Sequence, residues 1–224
     1  MSSELSATMR DYLVEIYRLS GYDGESKRYV STSALADVLD VSAPAVNRMV
    51  TKLKEMNLLL HEPYQGIALT EAGRREALIK LRYHRIAEAF LVNVMGFDWH
   101  EIHEEAQRMS TGLSETLVQR MSEMAGEPSH CPHGEPIPAL DGTLLEPDDT
   151  PLSEARDGDH LEITRVRTRE ADRLQYIAAL GLVPGAQIEL IHAAPFHGPL
   201  QIRLNEEYRI IGHNLAELIL VKPV

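Results

Sequence analysis

The stretch STSALADVLDVSAPAVNRMVTKLKEMNLLLHEPYQGIALT, residues 31–70, leaves a chain few ways to fold. A Ser/Thr cap ahead of Ala34 and Leu35 predicts a short helix. A second helix follows at once. Ser42 is its natural N-cap, and Pro44 sits in the first turn, where its missing N–H costs nothing. Val46, Met49, Val50 and Leu53 recur at helical spacing and form the side to be buried. LLHEPYQGIALT then reads as two short strands around a turn containing Gly66. Short helix, tight link, second helix and hairpin is the order of a winged helix-turn-helix.

The face of the second helix opposite its apolar stripe carries Asn47, Arg48, Thr51, Lys52 and Lys54. Asn and Arg can read base edges bidentately in the major groove, whereas Lys and Thr suit phosphates. The helix N-terminus at Ser42 and Pro44 aims free N–H groups at a phosphate. EPYQG forms the wing, with Tyr64 near the DNA backbone. An amphipathic helix in a protein-interaction domain would share the apolar stripe but does not require this order of elements. Net charge, −12, looks wrong for a DNA binder until it is localised. Residues 1–75 carry 9 basic and 10 acidic side chains, whereas residues 92–160 carry 3 and 15. The acidic middle is a solubility device or a cation-binding core, and the near-neutral N-terminal part leaves room for a basic face.

Elsewhere, residues 4–20 place Leu5, Met9, Leu13, Ile16 and Tyr17 at helical spacing, and GYDGE ends that helix. EAGRREALIKLRYHRIAEAFLVNVM reads as one long helix. GFDWHEIHEEAQRMSTGLSETLVQRMSEMAG reads as two helices, or as one with a break near Gly112. EPSHCPHGEPIPALDG is rich in Pro and Gly and reads as an extended turn; LLEPDDTPLSEARDGD reads as an acidic linker. From about Leu161 the texture becomes β, with one helix, READRLQYIAALG, inserted. The apolar runs are too short to span a bilayer, and the start has no basic region followed by an apolar core. A single cysteine, Cys131, rules out an intramolecular disulfide and fits a reducing cytoplasm.

MRDYLVEIYRL, VSAPAVNRMVTKLKEMNLL, EPYQGIALTEAGRREAL, RYHRIAEAFLVNVMGFDWHEIHEEA and CPHGEPIP together resemble, in order, segments of the diphtheria toxin repressor family of metal-dependent transcriptional regulators. The resemblance implies a mostly α fold with β in three domains. These are a winged helix-turn-helix DNA-binding domain over 1–75, a helical metal-binding and dimerisation domain over 76–140, and, after a linker at 141–158, an SH3-like β domain over 159–224. It also implies a homodimer that binds operator double-stranded DNA, with a divalent metal as corepressor.

An i, i+4 pair puts two ligands on one helix face, as His84 and Glu88 do in HRIAE. His103, on the next helix, supplies a third ligand if the two helices pack antiparallel. Alone, HRIAE reads more readily as a surface His–Glu pair than as a metal site; the resemblance makes these three the ancillary metal site. A second family site takes Asp11, the residue type of the manganese-responsive branch. Its other positions fall on Gln107, Ser110 and Thr111, where the family carries Cys or Glu and then Glu-His. Glu104 is the nearest substitute, while His100, Glu101 and Glu105 read as a hydrated helix surface. In READRL, Glu170 and the neighbouring Asp172 match a stretch that lends ligands to the ancillary site; both also read as helix N-terminal charges. A thiolate-free, oxygen-rich set suits Mn²⁺ or Fe²⁺ by hardness; Asp11, as the resemblance implies, tilts the choice to Mn²⁺, with Fe²⁺ as the alternative. The HCPHG segment reads as a structural turn.

An enzyme is not expected. HEIHE spaces its histidines by three positions rather than the four of the metalloprotease helix, and neither a phosphate loop nor a nucleophile elbow is present. A metal-storage or delivery protein would explain the acidic middle, but it has no use for the helix over 43–57 and its wing.

Overall fold

Ser6 opens the first helix, its hydroxyl accepting the Met9 N–H at 3.3 Å. In this computed structural model, which describes residues 5–21, 29–145 and 147–224, helix α1 spans Ala7–Leu19. The turn expected from GYDGE lies, beyond Gly21, outside the described residues, as do Glu4 at the expected start of α1 and Glu146 of the acidic linker. The chain divides into two units, Met1–His84 with Pro138–Glu146, and Arg85–Ile137 with Pro147–Val224.

In the first unit α1 buries Met9, Tyr12, Leu13, Ile16 and Tyr17. Helix α2, Thr32–Leu39, is capped by Ser31, whose hydroxyl accepts the Ala34 N–H at 3.1 Å. It stops at Asp40, which turns left-handed (φ 50°, ψ 47°), a conformation that short polar residues tolerate best after glycine. Helix α3, Ala43–Glu55, starts after Ser42 with Pro44 in its first turn; Ser42 holds the N-cap position without a side-chain cap bond. Its buried stripe is Val46, Val50 and Leu53, while Met49 is only partly covered and packs at the edge of the core. Strands β1, Leu59–Glu62, and β2, Gly66–Leu69, pair antiparallel, with Leu59 opposite Leu69 and Glu62 opposite Gly66. Leu13, Ile16, Leu35, Val46, Leu53, Ile67 and Leu78 make the centre of this core. Burying each such side chain contributes about 1.5–3 kcal/mol. Helix α4, Glu71–Asn93, begins at Thr70, whose hydroxyl accepts the Gly73 N–H at 3.1 Å.

In the second unit the chain after α4 forms two helices, α5, Ile102–Ser110, and α6, Glu115–Met124. The break falls around Gly112, and Ser114 caps α6 by accepting the Leu117 N–H at 3.3 Å. The β region holds β3, Thr150–Pro151; β4, His160–Val166; α7, Ala171–Ala179; β5, Gln187–Ala193; β6, Leu200–Leu204; β7, Glu207–Ile211; α8, His213–Ala216; and β8, Ile219–Pro223. The sheet order is β3-β8-β4-β5-β6-β7, with every pairing antiparallel. Alternate residues of its strands, Leu161 and Ile163, Ile188 and Leu190, Leu200 and Ile202, meet Leu174 and Ile177 of α7 in one core. Two details differ from the sequence reading. The helix α8 was not foreseen. The supposed linker is part of the β domain after residue 149: Thr150 pairs with Val221, Pro151 with Leu220, and Leu152 is fully buried. Among the described residues no helix is long and apolar enough to cross a membrane.

Candidate metal centre and DNA-reading face

His84 and Glu88 lie one turn apart on α4, and each is 3 % exposed. His103 comes from α5. One ligand atom of each residue lies within 4.8 Å of the others. Glu88 Oε1 is 3.1 Å from His103 Nδ1. The expected triad is therefore assembled, and two imidazoles with a carboxylate suit a first-row divalent ion.

The structure adds two residues to Glu88. Glu88, Cys131 and His133, all buried, also offer ligand atoms within 4.8 Å of one another. They are brought there by the turn that the sequence reading took as structural. Cys131 donates its N–H to the Glu135 carbonyl at 2.9 Å, Gly134 to Cys131 at 2.8 Å, and Ile137 to Ser129 at 2.8 Å. Gly134 is left-handed at φ 84° and lies so close to β4 that a Cβ would sit 2.1 Å from the Thr164 carbonyl oxygen. His133 donates its Nε2–H to the Trp99 carbonyl at 2.8 Å, and its ring lies 5.2 Å from the Trp99 ring. That bond fixes which nitrogen carries the proton, so Nδ1, 3.6 Å from Glu88 Oε1, is the atom that faces the cluster. A metal-ligating histidine commonly gives its other N–H to a carbonyl, so this arrangement fits a metal ligand.

Burial first, and then the Glu88 carboxylate, pushes the Cys131 thiol well above its ordinary pKa. Burial pulls the His133 imidazole down, but Glu88 and the Trp99 carbonyl outweigh it and leave it raised. In both groups the surroundings favour the protonated form, against which a cation must compete. The donor set around Glu88 thus includes a thiol, contrary to the thiolate-free set read from sequence. The sequence signal was a Cys and a His two residues apart in HCPHG, beside a Gly that demands close packing.

The other expected ligands lie in different surroundings. The Asp11 carboxylate is 3.9 Å from the Lys80 ammonium, and Lys80 is 6 % exposed. Burial lowers the Lys80 pKa, and Asp11 works against that shift. Glu104 is exposed and 3.6 Å from Arg108. The Gln107 carbonyl accepts hydroxyl bonds from Ser110 at 3.2 Å and Thr111 at 3.0 Å. Glu170 is exposed, 3.0 Å from Arg173, and Asp172 is exposed in the first turn of α7. Among the described residues no cluster of three His, Cys, Asp or Glu donors includes Asp11, Glu104, Glu170 or Asp172.

On α3, Asn47, Arg48, Thr51, Lys52 and Lys54 are all exposed, as are Ser42 and Pro44 at its start. The Thr51 hydroxyl donates back to the Asn47 carbonyl at 2.9 Å, which leaves its oxygen lone pairs outward. Tyr64 stands at the hairpin tip in left-handed conformation (φ 66°), fully exposed. The residues read from sequence are therefore all exposed, on the helix and at the hairpin tip.

Comparison with known proteins matches three family models in order. These are the iron dependent repressor N-terminal DNA binding domain over residues 4–67, the iron dependent repressor metal binding and dimerisation domain over 70–139, and the FeoA domain over 150–223. The iron-dependent repressor IdeR of Mycobacterium tuberculosis is 28 % identical over 223 residues, covering 94 % of this chain and 96 % of that one. The diphtheria toxin repressor of Corynebacterium efficiens is 30 % identical over 189 residues, 80 % of this chain and 82 % of that one. Among solved structures, a manganese-dependent transcriptional repressor in complex with manganese superposes with a TM-score of 0.88 at 32 % identity, covering 96 % of this chain and all of that one. ScaR with bound Zn²⁺ superposes at 0.81 and 29 % identity, covering 96 % of this chain and 99 % of that one.

Proposed function

Because this chain belongs to the diphtheria toxin repressor family, whose members are metal-dependent DNA-binding transcriptional repressors and not enzymes, we propose that its corepressor is Mn²⁺, with Fe²⁺ the competing ion, and that the ion is held at Glu88. His84 and His103 supply imidazole donors to it, and Cys131 and His133 are further donors at the same carboxylate. When bound, the ion supplies a concentrated positive charge that draws these side chains together. The observation that carries this reading is the burial of Glu88 among imidazole and thiol donors.

Manganese is supported by the full-length likeness to a manganese-dependent repressor and by an acid, Asp11, at the position where the manganese-responsive branch carries one. Hardness of the donors no longer argues for it, because a thiol raises affinity for Zn²⁺, Co²⁺ and Cd²⁺ as well. Selection then rests on which ion favours the DNA-competent state. Moving a population from 1:99 to 99:1 takes about 5.5 kcal/mol of preferential binding.

The chain acts as a homodimer on operator DNA, with the α3 helices of the two copies reading half-sites about one or two helical turns apart. Arg48 and Asn47 read bases, whereas Lys52, Thr51 and the N-terminus of α3 at Ser42 and Pro44 hold phosphates, with Tyr64 beside the backbone. The regulated genes are those of manganese and iron homeostasis, in the cytoplasm. The domains assigned to these roles are residues 1–75, 76–140 and 159–224. Operator selection from a DNA library, with chelator and then with each of Mn²⁺, Fe²⁺ and Zn²⁺, tests the proposal. Metal-dependent enrichment of one paired site is expected, strongest with Mn²⁺. Metal binding without any DNA selection refutes it.

A further inference from the structure

Strand β4 does not alternate as a strand should. Its pairing with β8 shifts register between Ile163, opposite Val221, and Arg165, opposite Leu220, so Thr164 is an extra residue. Such a bulge re-aims the side chains around it. Here consecutive residues reach the same carboxylate. The Thr164 hydroxyl donates to Asp149 Oδ2 at 2.6 Å, and Arg165 donates to both oxygens of Asp149, from Nε at 2.9 Å and from Nη2 at 2.7 Å. The third nitrogen of that guanidinium, Nη1, lies 3.4 Å from Glu135 Oε1. The other oxygen of Glu135 accepts from Arg85 Nη2 at 2.9 Å, and Arg85 also donates Nη1 to the Pro136 carbonyl at 2.6 Å. The side chains of Arg85 and Arg165 are each 4 % exposed, that of Asp149 1 %, and that of Glu135 13 %.

This buried chain of charges, Asp149, Arg165, Glu135 and Arg85, runs from the β domain to α4 through the turn that carries Cys131 and His133. Backbone contacts follow the same line. Val166 donates its N–H to the His133 carbonyl at 2.9 Å, and Gly134 packs directly on Thr164 and Arg165. The turn is also braced from within, by the Cys131 N–H on the Glu135 carbonyl and the Ile137 N–H on that of Ser129, and by His133 on the Trp99 carbonyl. It contains two prolines, Pro132 and Pro136, which donate no hydrogen bonds of their own. Besides Trp99, its anchors outside the turn are β4 on one side and α4 on the other. Guanidinium is the group for this task, since its flat fork serves two carboxylates at once and stays charged when buried.

We infer that Arg165 is a positioning residue for the metal centre: acting through Glu135, it holds the 131–136 turn so that Cys131 and His133 face Glu88, making the β domain a structural part of the corepressor site. The inference rests on the reading of that site given above. It separates two halves of the donor set, because His84 and His103 are carried by α4 and α5 and are not held by Arg165.

The test uses the full-length protein with Co²⁺ as the spectroscopic probe and iodoacetamide on the single thiol. Arg165→Met is expected to speed alkylation of Cys131 in the metal-free protein about tenfold or more. It is also expected to weaken Co²⁺ binding by about 10–100-fold, the usual size for an outer-shell partner. The thiolate-to-cobalt absorption should fall, while the visible bands from imidazole ligation persist. Arg165→Lys, which keeps the charge but not the fork, should resemble Arg165→Met. Glu135→Gln should give the same defects, and adding Arg165→Met to it should change little further. Asp149→Asn, a milder change, provides the same readouts should Arg165→Met fail to fold. Wild-type alkylation rate and an unaltered thiolate band in folded Arg165→Met or Asp149→Asn overturn the inference; so do fully additive effects of Arg165→Met and Glu135→Gln. Failure of the metal site itself would look different: wild-type protein would show no thiolate band, whereas alkylation in the metal-free variants would still report on the turn.

Discussion

Glu88 and His103 meet at 3.1 Å between helices α4 and α5, and the same oxygen of Glu88 lies 3.6 Å from His133. One buried carboxylate therefore answers to both sets of neutral donors. Glu88→Gln should abolish tight metal binding, by at least about 100-fold, because both sets lose the carboxylate they share. His84→Ala with His103→Ala should also remove most affinity, whereas Cys131→Ser should leave binding of Mn²⁺ with a smaller loss than that of Cd²⁺ or Zn²⁺. Isothermal titration of the three ions checks the order; full stoichiometry and affinity in the His84/His103 double variant would sink the site.

Metal binding should release protons. The Cys131 thiol is raised by burial and then by Glu88, and the His133 imidazole is raised because Glu88 and the Trp99 carbonyl outweigh its burial. Raised values keep both groups protonated to higher pH in the metal-free protein, and ligation needs the deprotonated forms. Affinity should therefore climb as pH rises, by about tenfold per pH unit for each proton displaced. Titration in buffers of different ionisation enthalpy reads the proton count directly. A dissociation constant that stays flat between about pH 6 and 8 would exclude Cys131 and His133 as ligands, since imidazoles ordinarily titrate near 6.5.

The recognition helix predicts two distinct phenotypes. Arg48→Ala should cost about 1–3 kcal/mol and relax specificity at one base pair. Lys52→Ala should weaken all sequences alike and flatten the salt dependence by about one unit of slope. Neither side chain is buried, so stability should be unchanged. Operator binding over a salt series separates the two; wild-type behaviour in both variants would place the DNA contacts elsewhere.

Asp11 is the acid through which occupancy of the centre would reach the winged domain if it ligates metal, as the family resemblance implies. Its ion pair with Lys80 offers a different role, as counter-charge to a buried ammonium. Asp11→Ala should keep metal at Glu88 yet respond little to added metal in operator affinity. Fluorescence anisotropy with chelator and with saturating Mn²⁺ gives the ratio. A wild-type ratio in the variant would assign Asp11 to Lys80 alone.

The winged domain was legible because its signals are local. The Ser/Thr cap ahead of Ala34, Pro44 in a first turn and one apolar stripe per helix each act within a few residues. The triad was half legible: the i, i+4 spacing of His84 and Glu88 is local, but His103 needed the family pattern to join them. Cys131 and His133 were missed because nothing near them in sequence says what they face. Their approach to Glu88 depends on Gly134 touching β4 about thirty residues later, and on a bulge at Thr164 that shifts pairing with β8. The acidic linker misled for a similar reason. Asp149 is 1 % exposed against Arg165, a partner 16 positions away, and nothing in a run of Asp and Pro announces a buried ion pair.

The wing tip has a consequence of its own. Tyr64 is fully exposed in left-handed conformation, on a hairpin whose footing is supplied by buried Leu59 and Ile67 and by the bridge from Val30 to Ile67. A ring so fully exposed contributes little to folding. Substitutions there are free of the selection that keeps a core intact. The wing is thus where operator preference can drift between related chains without a change in how well the protein folds.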